Sequence, residues 1–203
     1  IVETEDGTIA IEAENVILAT GSSPIELPFM KFDEQHICSS TGALDLDSLP
    51  EKVAVIGGGY IGLELGIALR RLGSEVTVIE GLDKVMAIFD DELRRPLTTW
   101  LRKNGVITHT NCLAQGAEVK DGKVELTWKD AEGEIQSEIF DKVLVTVGRR
   151  PNTQGWGLEN MGLRMDSDGR FIRIDNQCKT SMKGVFAIGD VSGEPMLAHR
   201  ASA

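Results

Sequence analysis

Six residues, Gly57-Gly58-Gly59-Tyr60-Ile61-Gly62, stand in the spacing G-x-G-x-x-G. Glycine at those three places strips a turn of side chains, and the chemistry such a turn serves is the holding of phosphate. Gly57 permits a sharp strand-to-helix turn, Gly59 lets the backbone approach a diphosphate, and Gly62 lets the helix pack close to the strand. Free N–H groups at the helix start, at the positive end of its dipole, then face the phosphates without any basic side chain. A bare match also fits a tight turn with no ligand, so the context decides. Val53-Ala54-Val55-Ile56 before it is an apolar strand run, and Glu80 closes a second strand 23 residues after Gly57. An acid there accepts hydrogen bonds from ribose hydroxyls and opposes a 2′-phosphate, which points to NAD rather than NADP. The next residues, Gly81-Leu82-Asp83, offer no cation for a phosphate. The alternative for Glu80 is a solvated strand-end acid. Glu64, one turn into the helix, stays open between an exposed helix acid and a group facing the ligand.

Other chemistry is not signalled. Cys38, Cys112 and Cys178 are far apart, with no CxxC pair, and read as three reduced thiols of a cytoplasmic protein. His36, His109 and His199 have no partner at a metal-ligand spacing, and no G-x-S-x-G is present. No catalytic residue and no metal ligand is assigned. The net charge of −11 disfavours nucleic acid and anionic membranes as partners. No apolar run reaches the roughly 18 residues of a membrane span. The opening Ile1-Val2-Glu3-Thr4-Glu5-Asp6-Gly7 has neither the basic nor the apolar region of a signal peptide.

The elements that must position the glycine turn follow from periodicity. Val53–Ile56 is a strand, a helix runs from about Tyr60 to Leu72 with Ile61, Leu65, Ala68, Leu69 and Leu72 on its apolar stripe, and Glu75–Glu80 is the second strand. A second helix spans about Asp90 to Asn104, and Pro96 either kinks it or delays its start. Val106–Thr110, Leu113–Val119, Lys123–Trp128 and Glu134–Phe140 read as strands separated by turns, a β-meander inserted in an α/β domain. Lys142–Val147 is another buried strand. Around this core, residues 1–14 read as a hairpin and Asn15–Ala19 as a strand buried on both faces. Residues 24–50 read as a connection, Arg170–Ile174 and Val185–Ile188 as strands, and Ala198–Ala203 as the first turns of a helix. Ile17–Gly21 weakly echoes Leu144–Gly148.

The run from Val53 to Glu64 resembles the NAD-binding segment of the pyridine nucleotide-disulfide oxidoreductases. So do Ala19-Thr20-Gly21-Ser22, Gly148-Arg149-Arg150-Pro151-Asn152 and Ala187-Ile188-Gly189-Asp190, in matching order and spacing along essentially the whole chain. Ser39-Ser40-Thr41 and Met196-Leu197-Ala198-His199 look most like the dihydrolipoamide dehydrogenase subfamily. The fold this implies is a Rossmann-like NAD-binding domain with a βαβ core and inserted meander at 46–150. It is flanked by partial FAD-domain segments at 1–45 and 151–203. The resemblance implies that Gly57, Gly59, Tyr60, Ile61, Gly62, Leu63, Glu64, Leu65, Gly66, Glu80, Leu113 and Gly148 line NAD. Leu113 falls on the adenine side, and Gly148 and Glu64 near the nicotinamide. Thr20, Gly21, Ser22, Asp190, Met196, Leu197, Ala198 and His199 would border FAD in a longer parent.

The family's own FAD glycine motif, its C-x-x-x-x-C redox pair and its His-Glu pair are not matched in these residues. The expectation is therefore the middle portion of a homodimeric flavoprotein that exchanges electrons between NAD and a dihydrolipoamide-bearing acyltransferase complex. This portion alone is expected to be inactive and to hold FAD weakly or not at all. A mercuric or glutathione reductase-like disulfide reductase is the nearest alternative, and Glu80 counts against it. A stand-alone NAD-binding module without catalysis is the alternative of another class.

Overall fold

The computed structural model describes residues 2–155 and 157–202, and divides the chain into two units. One is Pro24–Gly148; the other joins Ile1–Ser23 to Arg149–Ala203. The expected hairpin is present as β1 (Val2–Thr4) and β2 (Gly7–Ile9), antiparallel, with Val2 opposite Ile9. Its Ile1 end, and the Ala203 end of the expected final helix, lie outside the described residues. β3 (Val16–Leu18) pairs in parallel with a single neighbour, introduced below, so it is not buried on both faces as its composition suggested. Val16 and Ile17 are exposed and only Leu18 is buried. β4 (Ser22–Pro24) closes this first stretch.

The larger unit is built on a five-stranded sheet. Its strands are β5 (Ile37–Cys38), β6 (Lys52–Ile56), β7 (Glu75–Ile79), β8 (Ile107–His109) and the later Lys142–Val145 strand. That later strand lies between β5 and β6, and every pairing in the sheet is parallel. Residues 24–50 are thus more than a connection. They supply the edge strand β5 and the short helix α1 (Ser40–Leu44), capped by the Ser39 hydroxyl on the Thr41 amide. Two residues of strand carry too little periodicity to be read from sequence.

Alternation along β6 builds two cores. Ala54 and Ile56 enter a cluster with Ile79, Phe140 and Trp128, while Val53 and Val55 enter one with Leu63, Leu69, Val78 and Leu101. The second cluster is closed by α2 (Tyr60–Leu72) and α3 (Asp91–Lys103). α2 packs Gly62, Leu63, Gly66 and Leu69 inward. The expected stripe is therefore rotated, and Leu72 stands 69% exposed. Small residues, not only large ones, mark the buried face where a helix approaches a strand closely. α3 runs unbroken through Pro96 from Asp91, so the late-start alternative is not needed.

The first cluster is closed by the meander, β9 (Leu113–Lys120), β10 (Lys123–Lys129) and β11 (Ile135–Phe140), antiparallel in the order β11-β10-β9 with a bulge at Thr127/Trp128. β10 alternates so that Val124, Leu126 and Trp128 are buried. The chain then enters the sheet as β12 (Lys142–Val145).

The remainder belongs to the smaller unit: β13 (Arg149–Pro151), a 3-10 turn at Leu158–Asn160, β14 (Val185–Ala187), a 3-10 turn at Gly189–Ser192, and α4 (Ala198–Ser202). β14 is the partner of β3, with Phe186 opposite Ile17. Arg170–Ile174 is not a strand. It makes one isolated antiparallel bridge, Met165 to Ile172, flanked by the Asp166 amide donating to the Phe171 carbonyl and the Arg173 amide to the Arg164 carbonyl, while the Ile172 amide donates to the Val191 carbonyl.

Candidate dinucleotide site

Because the sheet is parallel, the C-terminal ends of β6, β7, β8 and β12 share one edge, where open α/β sheets bind ligands. Gly57 follows β6 there at φ +99°, a left-handed conformation that costs glycine nothing. Its amide donates to the Ile79 carbonyl at 2.9 Å. A Cβ on Gly62 would lie 2.3 Å from the Gly57 carbonyl and 2.4 Å from Thr146 Oγ1, so helix and strand meet there only as glycine. A Cβ on Gly59 would meet nothing within 4 Å, because Gly59 faces open space. Gly59 is also the N-cap of α2, and no side chain caps that end. The first-turn amides, which a helix cannot satisfy by itself, are thus left for a ligand.

Glu80 sits half-buried beside this turn. Its Oε2 accepts from the Gly58 amide at 2.5 Å and its Oε1 from the Leu82 amide at 2.8 Å. Leu113 stands 58% exposed with its side chain against Gly81, one residue beyond Glu80. Gly148, at φ +119°, follows β12 on the same edge. Tyr60 and Ile61 are half-buried at the start of α2, and Glu64 is exposed one turn on. Leu63 and Gly66, expected to line NAD, are buried instead. Leu63 joins the β6–β7 core and Gly66 faces Val76 and Val55, so they pack the helix rather than face solvent. Leu65 is half-buried against the same core.

Sequence reading missed Thr146, Val85 and Met86 in this turn. The Met86 amide donates to the Gly58 carbonyl at 2.8 Å, and a Cβ on Gly58 would lie 2.6 Å from Val85 Cγ1. A loop contact without a motif leaves no signal in the spacing of residues.

In the smaller unit a second group gathers. The Ser22 hydroxyl donates to Asp190 Oδ2 at 2.5 Å and accepts from Arg149 Nε at 2.7 Å. Arg149 also reaches the Ser22 carbonyl, at 2.6 Å. Thr20 and Asn152 exchange side-chain and backbone bonds at 2.8 and 2.9 Å, and the Asn152 amide donates to the Gly21 carbonyl. A Cβ on Gly21 would face open space. The three charged or polar partners, Arg149, Asn152 and Asp190, come from two conspicuous runs, GRRPN and AIGD, though only Asp190 was singled out. Met196 is half-buried, while Leu197, Ala198 and His199 are exposed at the start of α4.

All three cysteines are free; Cys38 and Cys112 are buried, and burial pushes the Cys38 thiol up to about 11. Among the described residues no group of three potential ligands could hold a metal, and no helix is long and apolar enough to cross a membrane.

The sequence matches the pyridine nucleotide-disulphide oxidoreductase family over residues 1–203. It is 48% identical over 189 residues to the dihydrolipoyl dehydrogenase of Geobacillus stearothermophilus, which covers 93% of this chain and 40% of that protein. To the dihydrolipoyl dehydrogenase of Pseudomonas aeruginosa it is 46% identical over 197 residues, 97% of this chain and 41% of that protein. Among solved structures, LpdA from Mycobacterium tuberculosis superposes with a TM-score of 0.86 at 32% identity, covering 98% of this chain and 42% of that one. The HOCl-induced flavoprotein disulfide reductase RclA from Escherichia coli, as its Cu(II) complex, superposes with a TM-score of 0.86 at 25% identity, covering 99% and 44%. The chain thus spans about 40% of the length of the curated relatives it matches.

Proposed function

The chain belongs to the pyridine nucleotide-disulphide oxidoreductase family, and from that premise we propose that it is the NAD(H)-binding portion of a flavoprotein that oxidises dihydrolipoamide. The observation that carries the cofactor is the open, uncapped start of α2 at Gly59, with Glu80 beside it. Phosphate oxygens accept from the first-turn amides, where the helix dipole adds to the attraction. Glu80 exchanges one of its backbone bonds for the ribose hydroxyls, and its charge repels a 2′-phosphate. Leu113 covers the adenine, while Gly148 and Glu64 lie toward the nicotinamide.

The Thr20–Ser22 and Arg149–Asp190 network borders FAD in the longer protein, with Met196–His199 beyond it. Gly21 offers a face without a side chain, the Ser22 hydroxyl donates to the Asp190 carboxylate, and Arg149 holds Ser22 in turn. When bound, the flavin supplies two-electron relay between nicotinamide and a disulfide. This chain holds Asp190 for it but presents no cysteine pair of its own, so by itself it oxidises no dihydrolipoamide. Identity of 46–48% to dihydrolipoyl dehydrogenases supports this substrate over those of other disulfide reductases. The same relatives support the remaining parts of the proposal, a homodimeric parent that works in the cytoplasm and serves a lipoyl-bearing acyltransferase complex.

Calorimetric titration with NADH and NADPH tests the cofactor. NADH binds about tenfold more tightly, a difference on the order of 1.4 kcal/mol. Glu80→Ala closes that gap. Equal affinities for the two nucleotides in the unsubstituted chain contradict the assignment.

A further inference from the structure

We propose that Thr146 is a positioning residue of the dinucleotide site, setting the glycine turn and the Glu80 carboxylate through one shared peptide plane. The proposal rests on the NAD(H) reading above and adds a residue that the glycine motif does not include.

Thr146 follows β12, whose Val145 lies opposite Ile56 of β6, so Thr146 comes level with Gly57. Its hydroxyl donates to the Ile56 carbonyl at 2.9 Å and lies 3.1 Å from the Gly57 carbonyl, a bond shared between the two. Its amide donates to the Ile56 carbonyl at 2.8 Å. Its own carbonyl would lie 2.6 Å from a Cβ on Gly57, and its hydroxyl 2.4 Å from one on Gly62. Thr146 therefore occupies the space that two motif glycines leave free.

The Gly57 carbonyl and the Gly58 amide belong to one planar peptide unit. Thr146 holds the carbonyl end of that plane from β12. Glu80 holds the amide end, at 2.5 Å, from the end of β7. A plane gripped at both ends by side chains from two strands cannot turn without releasing one of them. Rotation of this plane would move Glu80, and it would swing Gly58 into Gly59, where the ligand-facing amides begin. Without the hydroxyl the Ile56 carbonyl keeps its bond from the Thr146 amide, so the cost falls on the Gly57 carbonyl, in the same turn that must stay open for phosphate.

Three substitutions in the full 203-residue chain, each read by NADH and NADPH titration and by thermal unfolding, test this. Thr146→Val keeps the shape and removes the donor. It weakens NADH binding about fivefold and narrows the NADH-over-NADPH preference, since Glu80 loses its fixed plane. Thr146→Ser restores both. Ser74→Ala is the control. It removes a buried bond from Ser74 Oγ to the Pro50 carbonyl, at the opposite end of the same strands. It lowers the melting temperature without moving either affinity. Should Thr146→Val not fold, Thr146→Ala serves in its place with the same expected loss.

If Thr146→Val or Thr146→Ala melts lower yet binds both nucleotides as tightly as the parent chain, the role is purely structural and the proposal is overturned. Failure of the unsubstituted chain to bind NADH contradicts the cofactor reading instead, so the two failures are distinct.

Discussion

Gly59 and Gly62 sit three residues apart in one motif, yet they exclude different things. Around Gly62 a Cβ collides with backbone and with Thr146, whereas around Gly59 it meets open space. Gly62→Ala is therefore expected to destabilise the chain by about 1–3 kcal/mol through overpacking. Gly59→Ala is expected to leave the melting temperature unchanged or slightly raised while weakening NADH about tenfold. Thermal unfolding beside NADH titration of the two variants separates them, and a Gly59→Ala chain that binds as tightly as the parent removes the diphosphate from that face. The shape of the turn around both glycines and Glu80 is legible in the spacing, because that turn is local. A motif names a stretch of helix without saying which side of it meets the strand, and Leu63 and Gly66 are buried on that side. Thr146 was out of reach for a related reason: it lies 89 residues from Gly57, and only the strand pairing brings them together.

At the scale of elements, the strands covered on both faces were legible because they are continuous apolar runs, and the meander because β10 alternates. Val16–Leu18 looks the same in sequence but has one partner, and composition does not count neighbours. Arg170–Ile174 alternates but pairs with its neighbour only at the single Met165–Ile172 bridge, which is too short to make a strand.

How the meander is tied to the sheet gives a further test. Asp141 stands between β11 and β12 and accepts from the Lys52 amide at 2.8 Å, while the Lys123 ammonium lies 2.8 Å from its other oxygen. The hydrogen bond from Lys123 holds the Asp141 carboxyl below its usual range against partial burial, and the Lys52 amide adds to it. A carboxylate depressed on folding contributes its stability above its unfolded pKa, about 3.9, and loses it as pH falls through the lower folded value. Asp141→Asn should thus lower stability at pH 7 by about 1 kcal/mol, carried mainly by the backbone bond, since Lys123 is 56% exposed. Denaturant melts at falling pH check the sign. The gap between the two chains narrows below about pH 4, and a gap that widens there contradicts the role given to Asp141.

For the whole molecule, a net charge of −11 is compatible with the proposed phosphate site, because the proposal relies on backbone amides and not on side-chain cations. Composition and motif order were enough to indicate the α/β class and the family, which depend on many residues at once. The most direct measurement for the central claim is an amide-resolved NMR titration of the chain with NADH. Saturable shifts are expected, centred on Gly57–Gly62 and Glu80–Leu82 and extending to Leu113 and Gly148. Saturable binding whose shifts leave the start of α2 untouched, or no saturation in a folded sample, would contradict that claim.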